Sequence, residues 1–203
     1  MNNKVIIIGA GGHGKVIADI VKLNGDIVYG FLDDHRTEPV LGFPVIGRTD
    51  NINDFINEDF FFFIAIGDNK TRQKIFQLFH NIKWYTAIHP KAVIAEDVKV
   101  GVCTAVMANA VINSGSSIGN GVIINTAASV DHDNVIGDFS HVSPGAHLAG
   151  NVSIGERCWI GIGASVINNI YIVTDSIVAA GAVVIKDINE AGIYVGVPAK
   201  RKL

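Results

Sequence analysis

Of the 203 residues only two are cysteine, Cys103 and Cys158, and no C-x-x-C pair occurs. Two thiols in such a chain do not make a disulfide framework, and both read as ordinary buried residues. Basic runs are missing too. With a formal net charge of -3 and no Lys/Arg-rich stretch, the chain has no electrostatic footprint for nucleic acid or an anionic membrane. Small molecules and other subunits are the expected partners. No long apolar run opens the chain. Val5 to Ile8 is far too short for a signal-peptide core or a membrane span, and it stops at a glycine turn, so a cytoplasmic protein is expected. Charged residues make up 17% against 49% hydrophobic, a globular composition with ample material for a core.

What is present falls into two textures. Up to about Tyr85, apolar runs alternate with helical stretches: KVIIIG reads as a strand, HGKVIADIVKLNG as a helix ending at Gly25, and DIVYGFLDD as a strand. FFFFIAIGDNK reads as a strand entering a turn before a helix from Thr71 to His80. This predicts a small α/β domain with a parallel sheet over residues 1–86.

Its glycine turn, GAGGHGKV from Gly9 to Val16, fits two phosphate-binding patterns at once. The P-loop reading fails because the position after Lys15 must be a hydroxyl that holds magnesium, and here it is Val16. The dinucleotide reading matches Gly9, Gly11 and Gly14, with Asp33 19 residues beyond Gly14. A dinucleotide needs two mononucleotide-binding halves, however, and the roughly 85 residues before the texture changes suffice for one. The remaining readings are a single nucleotide, with phosphates at the turn and Asp33 or Asp34 near ribose or base, and a turn that only packs strand on helix.

After His89-Pro90 the helical period disappears and a period of six takes over. From Ile94 through Val100, Val106, Ile112 and onward to Val184, sixteen successive positions at this spacing are aliphatic. The residue two places earlier is often small, as at Ala110, Ser116, Ala128 and Cys158. Such a pattern predicts a flat-faced coil in which each unit supplies one short strand and one bend, with the aliphatic side chain inside and its small predecessor near the corner. Residues 87–203 therefore form a second domain with its own core, including the tail after Lys186.

These repeats, with the closing GVPAKRKL, resemble the hexapeptide acyltransferases, whose β-helix is left-handed and whose molecules are trimers. GAGGHGK, FLDD and AIGDN followed by the uninterrupted repeat resemble more narrowly the bacterial nucleotide-amino-sugar acetyltransferases. The fold this implies is a small Rossmann-like N-terminal domain followed by an all-β left-handed parallel β-helix. The implied activity is acetyl-CoA-dependent N-acetylation of the 4-amino group of a UDP-linked 4-amino-4,6-dideoxy sugar, as in UDP-N,N′-diacetylbacillosamine synthesis. By the same resemblance Gly11, Gly12 and His13 meet the sugar and phosphates, Asp33 and Asp34 the nucleoside, and Gly67 lies beside them.

His132 stands between Asp131 and Asp133, two residues after the inward Val130, in a repeat where charge is scarce. A neighbouring carboxylate raises a histidine's proton affinity and fixes its tautomer, which suits a general base; a solvated surface histidine is the plainer reading. The resemblance makes His132 the base and Asp133 its partner, where relatives carry Glu, with Asn125 orienting the amine. It places acetyl-CoA, the co-substrate, against His141, Ile162 and Ala180. No metal is implied, and neither cysteine has an activating neighbour in sequence.

If one coil is about 18 residues, His132 and His141 are half a coil apart and share a site only across a subunit boundary, giving three sites per homotrimer. His147 reads as structural or solvated, and Lys200 and Arg201 as a charged tail within possible reach of CoA phosphates. Three other readings compete: O-acetylation of a sugar such as sialic acid, or a GDP, dTDP or CMP carrier; a γ-carbonic anhydrase, whose H-x4-H pair the H-x5-H of His141 and His147 does not match; and a non-catalytic nucleotide-sugar sensor.

Overall fold

The structure, a computed structural model, describes residues 2–56, 59–79 and 81–202. Two compact units divide the chain, Met1–Pro90 and Lys91–Leu203. The first is a small Rossmann-like α/β domain and the second a left-handed parallel β-helix, the fold that the family resemblance implies.

In the first unit β1 (Lys4–Ile8) is apolar without alternation because helices and loops cover both faces, and Val5 to Ile8 are fully buried. Around it run β2 (Ile27–Leu32), β3 (Val45–Gly47), β4 (Phe60–Ile64) and β5 (Lys83–Trp84), all parallel, in the order β3-β2-β1-β4-β5. The chain moves outward from β1 to β3 and then returns to the other side of β1 as β4. Strand order reverses there, and in open α/β sheets the crevice beyond the carboxyl ends at such a point is where ligands sit.

Helix α1 (Gly12–Leu23) follows β1 and buries Ile17, Ala18, Ile20 and Val21 at helical spacing. Helix α2 (Asn69–Leu78) starts two residues before the expected Thr71, because Asp68 is its N-cap and accepts from the Thr71 N–H at 2.8 Å. His80, its expected end, lies outside the described residues. Two strands and a 3-10 segment (Thr49–Phe55) escape the sequence reading: β3 has three residues, β5 has two, and neither is long enough to show a period.

In the second unit, two-residue strands recur every six residues, each paired in parallel with the strand 18 residues on: Ile112 with Val130, Val130 with Leu148, Leu148 with Val166. Three sheets result, one per face of the coil. The fourteen aliphatic positions from Val106 to Val184 are at most 2% exposed, whereas Ile94 and Val100 on the first coil are half-buried. Their small predecessors sit at corners, where Thr104, Ser116 and Ser140 donate to the carbonyls of Gly119, Asp131 and Gly155 at 2.8 Å.

Cys158 occupies the same kind of position and donates to the Val173 carbonyl; burial pushes its thiol up to about 11. That makes it an inert core residue, and Cys103 is buried likewise. One period is invisible in composition. Every sixth residue from Cys103 to Gly181 has a positive φ, between 53° and 76°, including Ala127, Phe139 and Arg157, which rarely adopt it. From Asn109 on, each non-glycine in the series donates its N–H to a carbonyl of the preceding coil, as Asp133 does to Ser114 at 3.0 Å, against a conformational cost of about 1 kcal/mol or more.

Candidate functional site

The crevice of the first unit is bounded by the turn after β1 and the turn after β4, and its glycines divide into two kinds. Gly9 has φ +104° and a Cβ there would lie 2.8 Å from the Ala65 carbonyl; a Cβ on Gly14 would lie 2.1 Å from the Gly9 carbonyl. The fold itself requires these two. Gly11, Gly12 and Gly67 have ordinary φ, and a Cβ on any of them meets nothing within 4 Å among the described residues. Nothing among the described residues requires glycine there, and these are the three glycines expected to meet the substrate.

His13 lies edge-on to Phe63, with ring centroids 6.2 Å apart, and its Nε2 is buried without a hydrogen-bond partner among the described residues. Burial, helped by the charge of Arg72, pushes its imidazole down to about 4, so the ring is neutral at neutral pH. Arg72 itself is fully buried on α2 and donates to the carbonyls of Ile66 and Gly67 and to Asn69 Oδ1, holding the turn after β4 in place.

The two expected nucleoside carboxylates are both engaged by backbone. Asp33 Oδ2 accepts from the Ala10 N–H at 2.7 Å, and its Oδ1 accepts from the N–H groups of His35 and Arg36 at 3.0 and 2.9 Å. Asp34 Oδ1 accepts from the Thr49 N–H at 2.9 Å. Asp33 therefore ties the glycine turn to the loop after β2.

In the second unit His132 stands at an exposed corner between two sheets, its Nδ1 2.8 Å from Asp133 Oδ2. The shorter carboxylate reaches the ring from a backbone in the left-handed region, φ +59°. Glycines one coil to either side make room: a Cβ on Gly115 would strike the Asp133 carboxylate at 2.4 Å, and one on Gly150 would strike the His132 ring at 2.5 Å. Asp131 Oδ1 accepts from the His132 N–H and from Asn113 Nδ2, and buried Asn134 donates to the Asp131 and Ala149 carbonyls. The hydrogen bond to Asp133, then the charge of Asp131, raise the proton affinity of His132 above the ordinary histidine value. With Nδ1 held, Nε2 is the nitrogen left to exchange a proton.

Asn125 does not join His132 within the chain. Its Nδ2 lies 3.0 Å from His141 Nε2 on the third sheet, where the His141 ring stacks on Trp159 at 5.7 Å and 12°. Beside Trp159, whose Nε1 donates to Ser143, an apolar hollow of about 250 Å³ is lined by Ile162, Ile177 and Ala180 among others. The structure thus gathers His141, Asn125, Ile162 and Ala180 on one side of the coil and His132 with Asp133 at the opposite corner. Trp159 and Ile177 were not anticipated, though they sit one and two coils beyond His141, a spacing of 18 that could have found them.

His147 lines a second hollow of about 470 Å³ on another face, its Nδ1 2.8 Å from Ser129 Oγ. Arg201 is held by Glu190 and the Ala191 carbonyl. Among the described residues no three His, Cys, Asp or Glu side chains gather as a metal site would require, and no helix is long and apolar enough to cross a membrane.

Comparison with known proteins finds relatives for both units of the chain. The PglD N-terminal domain family matches residues 4–79. The chain is 41% identical to the acetyltransferase domain of PglB from Neisseria gonorrhoeae FA1090, solved in complex with acetyl coenzyme A, covering 100% of both chains with a TM-score of 0.95. A mutant of perosamine N-acetyltransferase from Caulobacter crescentus, solved with CoA and GDP-perosamine, is 42% identical over 98% of this chain and 97% of that one, also with a TM-score of 0.95. UDP-N-acetylbacillosamine N-acetyltransferase of Bacillus subtilis (strain 168) is 36% identical over 110 residues, 51% of each chain. The chain spans at most about half the length of the curated relatives it matches.

Proposed function

Because the chain belongs to the bacterial nucleotide-amino-sugar acetyltransferases of the hexapeptide β-helix family, we propose that it transfers an acetyl group from acetyl-CoA to the 4-amino group of a nucleotide-linked 4-amino-4,6-dideoxy sugar. The observation that carries this reading is the pair of His132 and Asp133, 2.8 Å apart on an exposed corner cleared by Gly150.

In the proposed reaction the amine nitrogen attacks the thioester carbonyl while His132 Nε2 takes its proton. The tetrahedral intermediate, its oxyanion met by a backbone N–H or polar side chain, collapses by breaking the C–S bond. CoA thiolate leaves, and the proton on His132 is passed to it. No acyl-enzyme forms. Asp133 holds the tautomer and stabilises the imidazolium. Acetyl-CoA lies along the hollow beside Trp159, against His141, Ile162 and Ala180, with Asn125 turned toward the same place.

One chain holds these two half-sites on opposite sides of the coil. The complete site is therefore formed between neighbouring subunits of a homotrimer, His132 and Asp133 coming from one and the acetyl-CoA hollow, with Asn125, from the next. Gly11, Gly12, His13, Asp34 and Gly67 bind the nucleotide sugar in the first unit. Such an enzyme works where both substrates are made, in the cytoplasm.

A UDP-linked sugar of the bacillosamine type is our first reading of the acceptor. The GDP-linked reading is favoured by a specific observation: the relative solved with GDP-perosamine matches 98% of this chain, the UDP-N-acetylbacillosamine enzyme about half of it. A panel of UDP-, GDP- and dTDP-linked 4-amino sugars and sialic acid with acetyl-CoA, followed by thiol release, tests both. Turnover of one of them supports the proposal; no thiol release with any of them, or turnover of sialic acid alone, ends it.

A further inference from the structure

The loop after β2 carries a cation that the sequence reading passed over. Arg36, half-buried, places Nη1 3.4 Å from the Ala10 carbonyl, inside the glycine turn. Its own N–H and that of Ala10 converge on the two oxygens of Asp33. One carboxylate thus clamps the arginine's loop onto the turn that opens α1. Burial works against the ionised form of Asp33, but the N–H groups of Ala10, His35 and Arg36 hold its carboxyl below the usual range, so the clamp stays charged.

What faces the guanidinium is an N-terminus that the chain leaves for something else. Helix α1 has no side-chain cap at Gly11 and no acidic residue in its first turn. Among the described residues the nearest carboxylate, Asp33, is taken up by Ala10, His35 and Arg36, which leaves the first N–H groups of the helix to an outside acceptor. Gly11 and Gly12 leave open space where a side chain would stand, and the neighbouring ring of His13 has its buried Nε2 without a partner among the described residues. An open, N–H-rich turn flanked by a planar cation matches the needs of a diphosphate, whose oxygens accept from backbone and guanidinium together.

We infer that Arg36 is a diphosphate-pairing residue of the nucleotide site, set against the glycine turn by Asp33, and that Asp33 acts through this clamp instead of reading the nucleoside. The inference rests on the reading that the first unit holds a nucleotide sugar, and it names the part of the nucleotide that Arg36 grips.

The test measures binding of UDP and GDP by calorimetry at two salt concentrations, in the wild-type chain and in Arg36→Ala and Arg36→Lys. It adds the KM values for both substrates. For Arg36→Ala the affinity for the bound diphosphate falls roughly 10- to 100-fold, as loss of a charge-assisted bond implies. The salt dependence of binding weakens, KM for the nucleotide sugar rises, and KM for acetyl-CoA and the melting temperature stay as in wild type. Arg36→Lys recovers part of the affinity, because a point charge replaces a fork. If wild type binds a diphosphate and Arg36→Ala binds it equally well, the role of Arg36 is refuted while the proposed function stands. If both KM values and the melting temperature shift together, Arg36 is structural and the inference likewise fails. Wild type binding neither diphosphate overturns the reading of the whole unit.

Discussion

In the first unit His13 is enclosed, with the guanidinium of Arg72 acting on it from α2, and its proton affinity drops to about 4. In the second, His132 stands in solvent against Asp133, and its affinity rises. The side chain is the same and the surroundings push it in opposite directions. Desolvation and a like charge keep one ring neutral at neutral pH; a hydrogen-bonded carboxylate raises the proton affinity of the other. The comparison shows why a histidine in a motif has no role until its neighbours are known.

The sharpest way to break the comparison is to remove the proposed base. His132→Ala is expected to lower kcat by about 10²–10⁴ with little change in nucleotide-sugar affinity, as measured by steady-state kinetics; near-normal turnover would end the assignment.

The next effect is on stability. His13 is neutral in the folded state down to about pH 4, whereas in the unfolded chain it titrates near 6.5. The unfolded state therefore binds more protons in that window, and stability falls as pH falls through it, by about 3 kcal/mol at pH 4. Melting curves between pH 7 and 4.5 should show a smaller acid loss for His13→Gln than for wild type; parallel curves would mean that His13 is not enclosed in solution.

The smallest effect sharpens the other half. In the proposed role His132 accepts a proton only when neutral, so activity is expected to decline as pH falls through its raised pKa. Asp133→Asn removes the main cause of that rise, so the acid limb of the kcat/KM profile should move to lower pH while the plateau rate drops. An unmoved limb would show that the 2.8 Å contact does not tune the base.

The β-helix was legible because its inward positions repeat in the chain itself, from Ile94 to Val184, and burial simply follows the period. The left-handed φ positions were not, since Asn, Gly, Asp, Cys, Phe and Arg all occupy them and their common property is conformational. Of the candidate site, the pairing of His132 with Asp133 could be read from adjacency, whereas Gly11, Gly12 and Gly67 followed from family resemblance and not from spacing. Trp159 follows from His141 only once the coil length is known to be 18. The clamp of Asp33 reaches Ala10, 23 residues away, and Arg36, three away, through backbone N–H groups, which leave no trace in residue type. Helix α2 began early for a local reason, the capping carboxylate of Asp68, and β3 and β5 were too brief for any pattern.

The 18-residue register has a consequence for how this protein can change length. Adding or deleting one whole winding would shift everything beyond it by a single step of about 4.8 Å along the axis and leave every column of side chains in line. An insertion of 17 or 19 residues would instead rotate the remainder of the prism out of phase, turning each inward aliphatic toward water. Growth is thus quantised, and a longer relative should differ by full windings or by loops that bulge from a corner and return to it.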